Sequence, residues 1–472
     1  MDTVYFDIIR FFQASQGVLY VFAFVVAFFL LLSGLDDLAV DLYYWFLYIF
    51  RRKKLLKFQR LNAKELHRRD EKSIAIFIPA WHEETIIEQM LRRACQSIQY
   101  KNYDIFVGVY PNDPGTTARV ASVARIYPNV HPVAASHPGP STKAQNLNDM
   151  HQGMRRWENM TGIRYEIIVL HDAEDLIHPL SLKVYNYFVP DYDMVQIPIY
   201  PLETPHKRVV HWTYADEFAE NHTKDLMARQ LFSDFIPSAG VGTAYNRYLI
   251  EFVGTSFARN MFSRKSLTED YDIALRLALG DAKLLYLNRP FGVNISTWAF
   301  FPQVFSAAVR QRSRWLIGIC LQAWGSYGWH GSLRLRMMLY RDRKAVITNI
   351  VNALAYVVLI YVLLYELADW ALRAYGTLEP LVKRGTVLWY IVLTDTALML
   401  WRFLHRFLSV SRVYGRKAAL LSIPRLPVSN IINFAATVRA LHQFFRANRK
   451  KEQVAWDKTE HEFPPIKEAV RR

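Results

Sequence analysis

Two hydrophobic rhythms divide this chain. From Ser73 to about Leu287, short apolar runs alternate with polar, helix-like stretches. Residues 74–78, 105–110, 130–134, 167–170 and 194–199 are short apolar runs that predict strands, and the β-branched run 167–170 predicts one that is fully buried. Residues 84–98, 116–127 and 141–160 lie between them and predict helices. Strand and helix in alternation predict an α/β fold, a mostly parallel, helix-covered sheet of Rossmann-like type.

The second rhythm is longer and flanks the first. Residues 18–32 are uninterruptedly apolar and, with Gly17 and residues 33–35, reach the roughly 20 residues a bilayer span needs. A cleaved leader is the competing reading, but there is no basic n-region and no A-x-A site. Residues 36–50 intersperse Asp36, Asp37 and Asp41 among Leu, Tyr, Trp and Phe, the pattern of an interfacial helix. Residues 346–367 and 388–408 predict two further spans. Their Asn349, Asn352, Thr394 and Asp395 are expected to face other helices or a polar path. Residues 301–329 predict an amphipathic helix at the interface. Pro424, Arg425 and Pro427 make residues 418–445 interfacial rather than spanning. Basic residues at 51–60 and 402–417 mark the cytoplasmic side, giving three spans with the amino terminus outside. The expected organisation is a first span with interfacial helix and basic linker (1–72) and a cytoplasmic catalytic domain (73–300). Interface helices (301–345), two spans with a further interface helix (346–445) and a cytoplasmic tail (446–472) follow.

Composition sharpens the picture. A net charge of +16 suits nucleic acid, but 52% hydrophobic and 14% aromatic residues, with the basic residues beside apolar segments, point to a membrane and not to nucleic acid. Cys95 and Cys320 are the only cysteines, too few for a disulfide scaffold or a cysteine zinc site.

The candidate chemistry centres on residues 165–179, YEIIVLHDAEDLIHP. Asp172, Glu174 and Asp175 follow a buried strand, where ligands of open α/β sheets bind. Asp172 and Glu174 can share a hard cation such as Mg²⁺ or Mn²⁺, although acids after a strand serve more often as helix caps. Ala80 to Glu84 and Asp113 end the first two strands and are placed to line a nucleotide pocket; Asn112-Asp113-Pro114-Gly115 is also a turn sequence. Lys143 can offset phosphate charge, or be a solvated lysine. Gly240 and Gly242 allow a close backbone approach or a plain turn. After Thr268, Glu269 and Asp270 set two carboxyl groups side by side at a helix start, where like charge raises one pKa toward that of a general base, or where they are simply helix-start acids favoured by the dipole. In Gln311-Arg312-Ser313-Arg314-Trp315, Arg314 can grip a diphosphate and Trp315 can stack on a sugar; both also suit membrane anchoring.

In this order the motifs resemble family 2 glycosyltransferases, metal-dependent inverting enzymes of GT-A fold that include cellulose and hyaluronan synthases. The correspondence covers Asp113, the D-x-D-type pair Asp172 and Glu174, Thr268-Glu269-Asp270, and Gln311, Arg314 and Trp315. The strings YPNDP, HDAED, PSAGVGT, SLTEDYDI, AVRQRSRW and W-D-K-T-x-H (Trp456 to His461) are similar to the bacteriophage adsorption protein B family of bacterial inner-membrane proteins, over nearly the whole chain. The resemblance implies a GT-A domain inserted between transmembrane helices and a UDP-sugar donor, with UDP-N-acetylmannosamine favoured and UDP-N-acetylglucosamine next. It implies uridine held near Ala80, Glu83 and Asp113, Mg²⁺ or Mn²⁺ on Asp172 and Glu174, Asp270 as base, and Gln311, Arg314 and Trp315 on acceptor and leaving UDP. The acceptor would be a polysaccharide or a lipid-linked sugar, with an outer-membrane export partner or a homo-oligomer completing the path. Glu174 replaces the commoner Asp, and His82 the commoner Asn. Long family members carry a carboxyl-terminal domain that binds cyclic di-GMP, so that regulation is expected only through a partner or a longer chain. Two rivals stand beside processive synthesis: single transfer to a polyprenyl phosphate, and a non-catalytic scaffold for export or phage uptake.

Overall fold

The computed structural model describes residues 2–258, 260–372 and 378–452; the motif from Trp456 to His461 lies outside the described residues. Its strands are β1 (Ile74–Pro79), β2 (Tyr103–Val109), β3 (Val130–Ala134), β4 (Ile167–Leu170), β5 (Met194–Gln196), β6 (Ile199–Pro201), β7 (Thr243–Asn246), β8 (Leu284–Tyr286) and β9 (Thr297–Ala299). Seven of them form one sheet in the order β3-β2-β1-β4-β7-β5-β8, and β6 pairs with β9 in a small second sheet. Only β7 runs antiparallel to its neighbours in the large sheet. The period of two explains the continuous apolar runs. Ala75 and Phe77 of β1 enter the core on one face, and Ile74, Ile76 and Ile78 the core on the other. Helices Ile87–Ser97 and Pro114–Ala124 cover the second face; Lys143–Thr161 and Glu269–Leu279 cover the first.

The single strand expected at 194–199 is two. Pro198 has no N–H for the ladder, and its neighbour Ile197 N turns aside to donate to Gly242 O at 3.1 Å. Pro198 O then accepts from Thr297 N at 2.9 Å, which starts the pairing of β6 with β9.

Among the described residues three helices are long and apolar enough to cross a membrane, Tyr5–Phe50, Ala345–Ala371 and Val387–Tyr414, the expected number. Residues 36–50 form no separate interfacial helix; they continue the first helix, which runs from Asp2 to Phe50 without a break. Its acids are neutralised by neighbouring helices. Arg341 bonds Asp36 at 2.6 Å, Lys344 and Arg402 bond Asp37 at 2.7 and 2.9 Å, and Lys224 pairs with Asp41. This ion-pair layer joins the first helix to Leu333–Arg343, to Val387–Tyr414 and to the segment after Val209–Glu220.

The helix expected at 301–329 starts at Phe305, because β9 and an extended stretch precede it. It runs from Phe305 to Trp315, widens into a π-helical stretch at Leu316–Gln322 and ends at Tyr327. Pro424 and Pro427 do not break the last helix, Arg416–Lys450, which packs against Phe305–Trp315 and Val209–Glu220 as well as the two later long helices. Arg425 lies beside these prolines and makes a bidentate pair with buried Asp216 at 2.7 and 2.6 Å, also donating to Ala418 O at 2.9 Å. Removing one partner of such a pair strands a buried charge. Arg425→Met is expected to destabilise the fold by about 3 kcal/mol, read as thermal unfolding by intrinsic fluorescence in detergent. Asp216→Leu/Arg425→Met is expected to recover part of that loss; a double variant no better than the single would refute the stranded-charge account.

Candidate functional site

The carboxyl end of β4 carries His171, Asp172, Ala173, Glu174 and Asp175. The three acids do not share one fate. Asp175 turns inward and is buried; its Oδ2 accepts from His171 Nδ1 at 2.8 Å and from Asp172 N at 3.0 Å. It therefore shapes the turn, while Asp172 and Glu174 stay half-buried at the surface of the site. Lys143, first residue of the Lys143–Thr161 helix and preceded by the Thr142 cap, places Nζ 2.5 Å from Asp172 Oδ1. Its isolated reading as a solvated lysine is thus excluded. Burial opposes the lysine's charge, but Asp172, Glu269 and Asp270 outweigh it and raise its pKa.

That shared lysine brings the second acidic motif into the site. Thr268 precedes helix Glu269–Leu279 as its N-cap residue, with no side-chain cap bond, so Glu269 and Asp270 occupy the first turn. Burial, then the charge of Asp270, lifts Glu269 to about 8. Burial also raises Asp270, against the pull of Lys143. Glu174 is raised well above the ordinary carboxylate value by burial and by Asp172 and Asp175. Four carboxyl groups thus face one ammonium, an excess of negative charge lined with oxygen donors. Asp172 and Glu174 fit Mg²⁺ or Mn²⁺ on that chemistry.

Gly240 and Gly242 knit these motifs together. Gly242 N donates to Leu170 O at 3.0 Å, directly before the β4 acids. Gly240 lies at φ +73, and a Cβ there would stand 2.6 Å from Asp270 Oδ2. Buried Gln196, which the sequence did not single out, pins this loop. Its Oε1 accepts from Thr243 Oγ1 at 2.6 Å and Ala239 N at 3.0 Å, and its Nε2 donates to Val241 O at 3.0 Å. No residue-type signal marks a strand glutamine for this task.

The expected nucleotide residues sit at the ends of β1 and β2. Ala80 is buried, and Glu83 N donates to Thr116 Oγ1 at 2.8 Å. Asp113 caps the Pro114–Ala124 helix through Thr116 N and accepts from His82 N at 2.6 Å, so the turn reading holds for its backbone role. His82, Glu84 and Asp113 also bring one ligand atom each within 4.8 Å of one another. With Asp113 already accepting two N–H groups, this set looks like a loop clasp rather than a cation site. Trp81, within the stretch expected to line the pocket, lies edge-on to Tyr110 with ring centres 4.6 Å apart.

The Gln311–Trp315 motif reaches the acids through Thr268. A Cβ on Gly318, in the π-helical stretch, would run into the Thr268 side chain, so this helix packs backbone against the cap of the Glu269–Leu279 helix. Gln311 is buried, its Oε1 without a hydrogen-bond partner among the described residues, and Arg314 and Trp315 are half-buried. Trp315 lies edge-on to Tyr214 at 5.9 Å. Arg312 is the structural arginine of the motif, bonded to Glu217 at 2.9 Å and set over Tyr214 at 4.3 Å. Behind the acids, Tyr271 OH donates to Asp342 at 2.8 Å, and Asp342 also takes both arms of Arg229 at 2.7 and 2.8 Å.

A family model described as "Glycosyltransferase like family 2" matches residues 71–318. The chain is 37% identical to bacteriophage adsorption protein B of Escherichia coli (strain K12), over 94% of this chain and 62% of that protein. Bacteriophage N4 adsorption protein B of Escherichia coli O157:H7 matches to the same extent. The chain therefore spans less than two thirds of the length of these curated relatives. Among solved structures it is similar to the mannosyltransferase PcManGT from Pyrobaculum calidifontis in complex with GDP-Man and Mn²⁺. The TM-score is 0.52 at 16% identity, over 89% of this chain and 99% of that one, a likeness of fold.

Glu269 gives stability a pH signature. Folded, it keeps its proton to about pH 8, against an ordinary value of 4.5. Its contribution is full below the ordinary value and is lost as pH rises through the interval up to about 8. Glu269→Gln is expected to raise the stability of the ligand-free protein at pH 8 by about 1–2 kcal/mol, with no gain near pH 4.5. Melting curves at the two pH values measure this, and an equal gain at both contradicts it.

Proposed function

This chain belongs to the glycosyltransferase like family 2, and from that premise we propose that it transfers a sugar from a UDP donor to a growing polysaccharide at the membrane face. The observation that carries the reading is the convergence of Asp172, Glu269 and Asp270 on Lys143. Such a site suits a sugar diphosphate accompanied by a cation, with a carboxylate left to act on the acceptor.

Asp172 and Glu174 would hold the Mg²⁺ or Mn²⁺, which when bound supplies positive charge against the donor diphosphate. Lys143 adds a fixed ammonium on the same side. Ala80, Glu83 and Asp113 would receive the uridine. Asp270 would take the proton of the acceptor hydroxyl as its oxygen attacks the anomeric carbon in line, breaking the bond to UDP with inversion. Glu269, still protonated near neutral pH, keeps like charge away from its neighbour. Gly240 holds the loop clear of Asp270. Gly242 and Thr268 would help shape the acceptor side of the site. Gln311 has an unpartnered Oε1 to offer a sugar, Arg314 would take up charge on the leaving UDP, and Trp315 would face the acceptor.

The donor we favour is UDP-N-acetylmannosamine, with UDP-N-acetylglucosamine next. That PcManGT carries GDP-Man and Mn²⁺ on a related fold supports a nucleotide sugar with a divalent cation. The likeness to phage adsorption proteins supports a cell-surface or secreted product made at a bacterial inner membrane. The catalytic part would be cytoplasmic, at about residues 73–300, with the interface helices at 301–345 and the spans on either side. With three long apolar helices, a homo-oligomer or an outer-membrane partner would complete the export path.

The test is UDP release by the purified, detergent-solubilised protein with Mn²⁺ or Mg²⁺ across a panel of UDP-sugars. We expect metal-dependent release from one donor, reduced at least about 100-fold in Asp270→Asn and in Asp172→Asn. Undiminished release in Asp270→Asn would sink the base assignment. A ladder of products supports elongation, whereas one discrete product on a polyprenyl phosphate supports single transfer.

A further inference from the structure

The helix Val387–Tyr414 carries one acidic residue, Asp395, inside its apolar length. Polar neighbours on the same turn are satisfied within the helix: Thr394 and Thr396 donate to Tyr390 O and Val392 O at 2.9 and 2.8 Å. Asp395 is not satisfied. Both carboxyl oxygens are buried, and neither has a hydrogen-bond partner among the described residues.

Its place follows from residues on the same helix face. Ile391 clusters with Ala27, flanked by Phe24 and Leu31; Leu398 touches Gly34; and Arg402 bonds Asp37 at 2.9 Å. Residues four and seven apart share a helix face, so Asp395 lies between Ile391 and Leu398, turned toward the first long helix. It stands seven residues from Arg402, about 10 Å from the ion-pair layer. Ala27, Leu31 and Gly34 oppose this stretch without charge, and among the described residues no cation is paired with Asp395. The helices Val209–Glu220 and Arg416–Lys450 meet this span near its other end, around Val410 and Tyr414. An ionised carboxylate without a cation or donor is far costlier in hydrocarbon than the neutral acid.

We propose that Asp395 is an intramembrane proton-binding site, a neutral carboxylic acid seated between the first and third long helices. Loss of the proton leaves a bare charge in that contact, so the packing of the two helices follows proton occupancy. The inference rests on these helices lying in a bilayer and on no step of sugar transfer.

An apolar carbodiimide tests it. The neutral carboxyl adds across a C=N bond, its oxygen bonding to the central carbon and its proton moving to nitrogen. The resulting O-acylisourea rearranges to an N-acylurea that keeps every atom of both reactants. The full chain in lipid vesicles, its insertion checked by co-flotation, is treated with dicyclohexylcarbodiimide or with a water-soluble carbodiimide, and its peptides are weighed. Label at Asp395 from the apolar reagent, diminishing as pH rises and lost in Asp395→Asn, is expected. Label from the soluble reagent alone overturns the proposal, since the residue would then line an aqueous path. Infrared difference spectra of the parent and Asp395→Asn decide where neither reagent reaches: a neutral carboxyl band supports the proposal, and a carboxylate band overturns it.

Discussion

Like charge held at close quarters is the constraint around which this molecule is built. Asp172, Glu174, Glu269 and Asp270 gather about the single ammonium of Lys143, and burial makes each unpaired charge costlier. A chain left to itself would move those groups apart. Here the first pair follows β4, the second opens a helix, and the lysine opens another helix, so their separation is set by rigid elements. The loop from Ser238 to Thr243, stapled by Gln196, runs against Asp270 and permits no side chain at Gly240.

A second electrostatic layer ties this site to the long apolar helices. Asp36, Asp37 and Asp41 on the first helix are met by cations from three other segments. Arg341 belongs to that layer, and the next residue, Asp342, holds the hydroxyl of Tyr271, which adjoins Asp270. Neighbouring residues of one short helix therefore face the spans and the site.

The sheet was legible because its strands are apolar without interruption, and the site because acids, glycines and lysine fall at strand ends and helix starts. What escaped reading was set by partners distant in the chain. Asp36, Asp37 and Asp41 read as an interfacial helix because their counter-ions lie some 180 to 370 residues away, from Lys224 to Arg402. Pro424 and Pro427 read as a break because Asp216, which anchors Arg425 beside them, belongs to another segment. Asp175 looked like a third site acid; only its bonds to His171 and Asp172 N turn it inward. Gln196 carries no signature at all, since its work depends on a loop about 45 residues downstream.

The ion-pair layer also governs how the molecule can be taken apart. Cutting away the first long helix, the usual route to a soluble catalytic fragment, would take Asp41 from Lys224, leaving it Glu220 and Asp225, and strip Arg341 and Lys344 of Asp36 and Asp37; Arg341 directly precedes the residue that steadies Tyr271. The first long helix is thus bound by charge into the scaffold behind the site, and the smallest unit that keeps these pairs intact includes it.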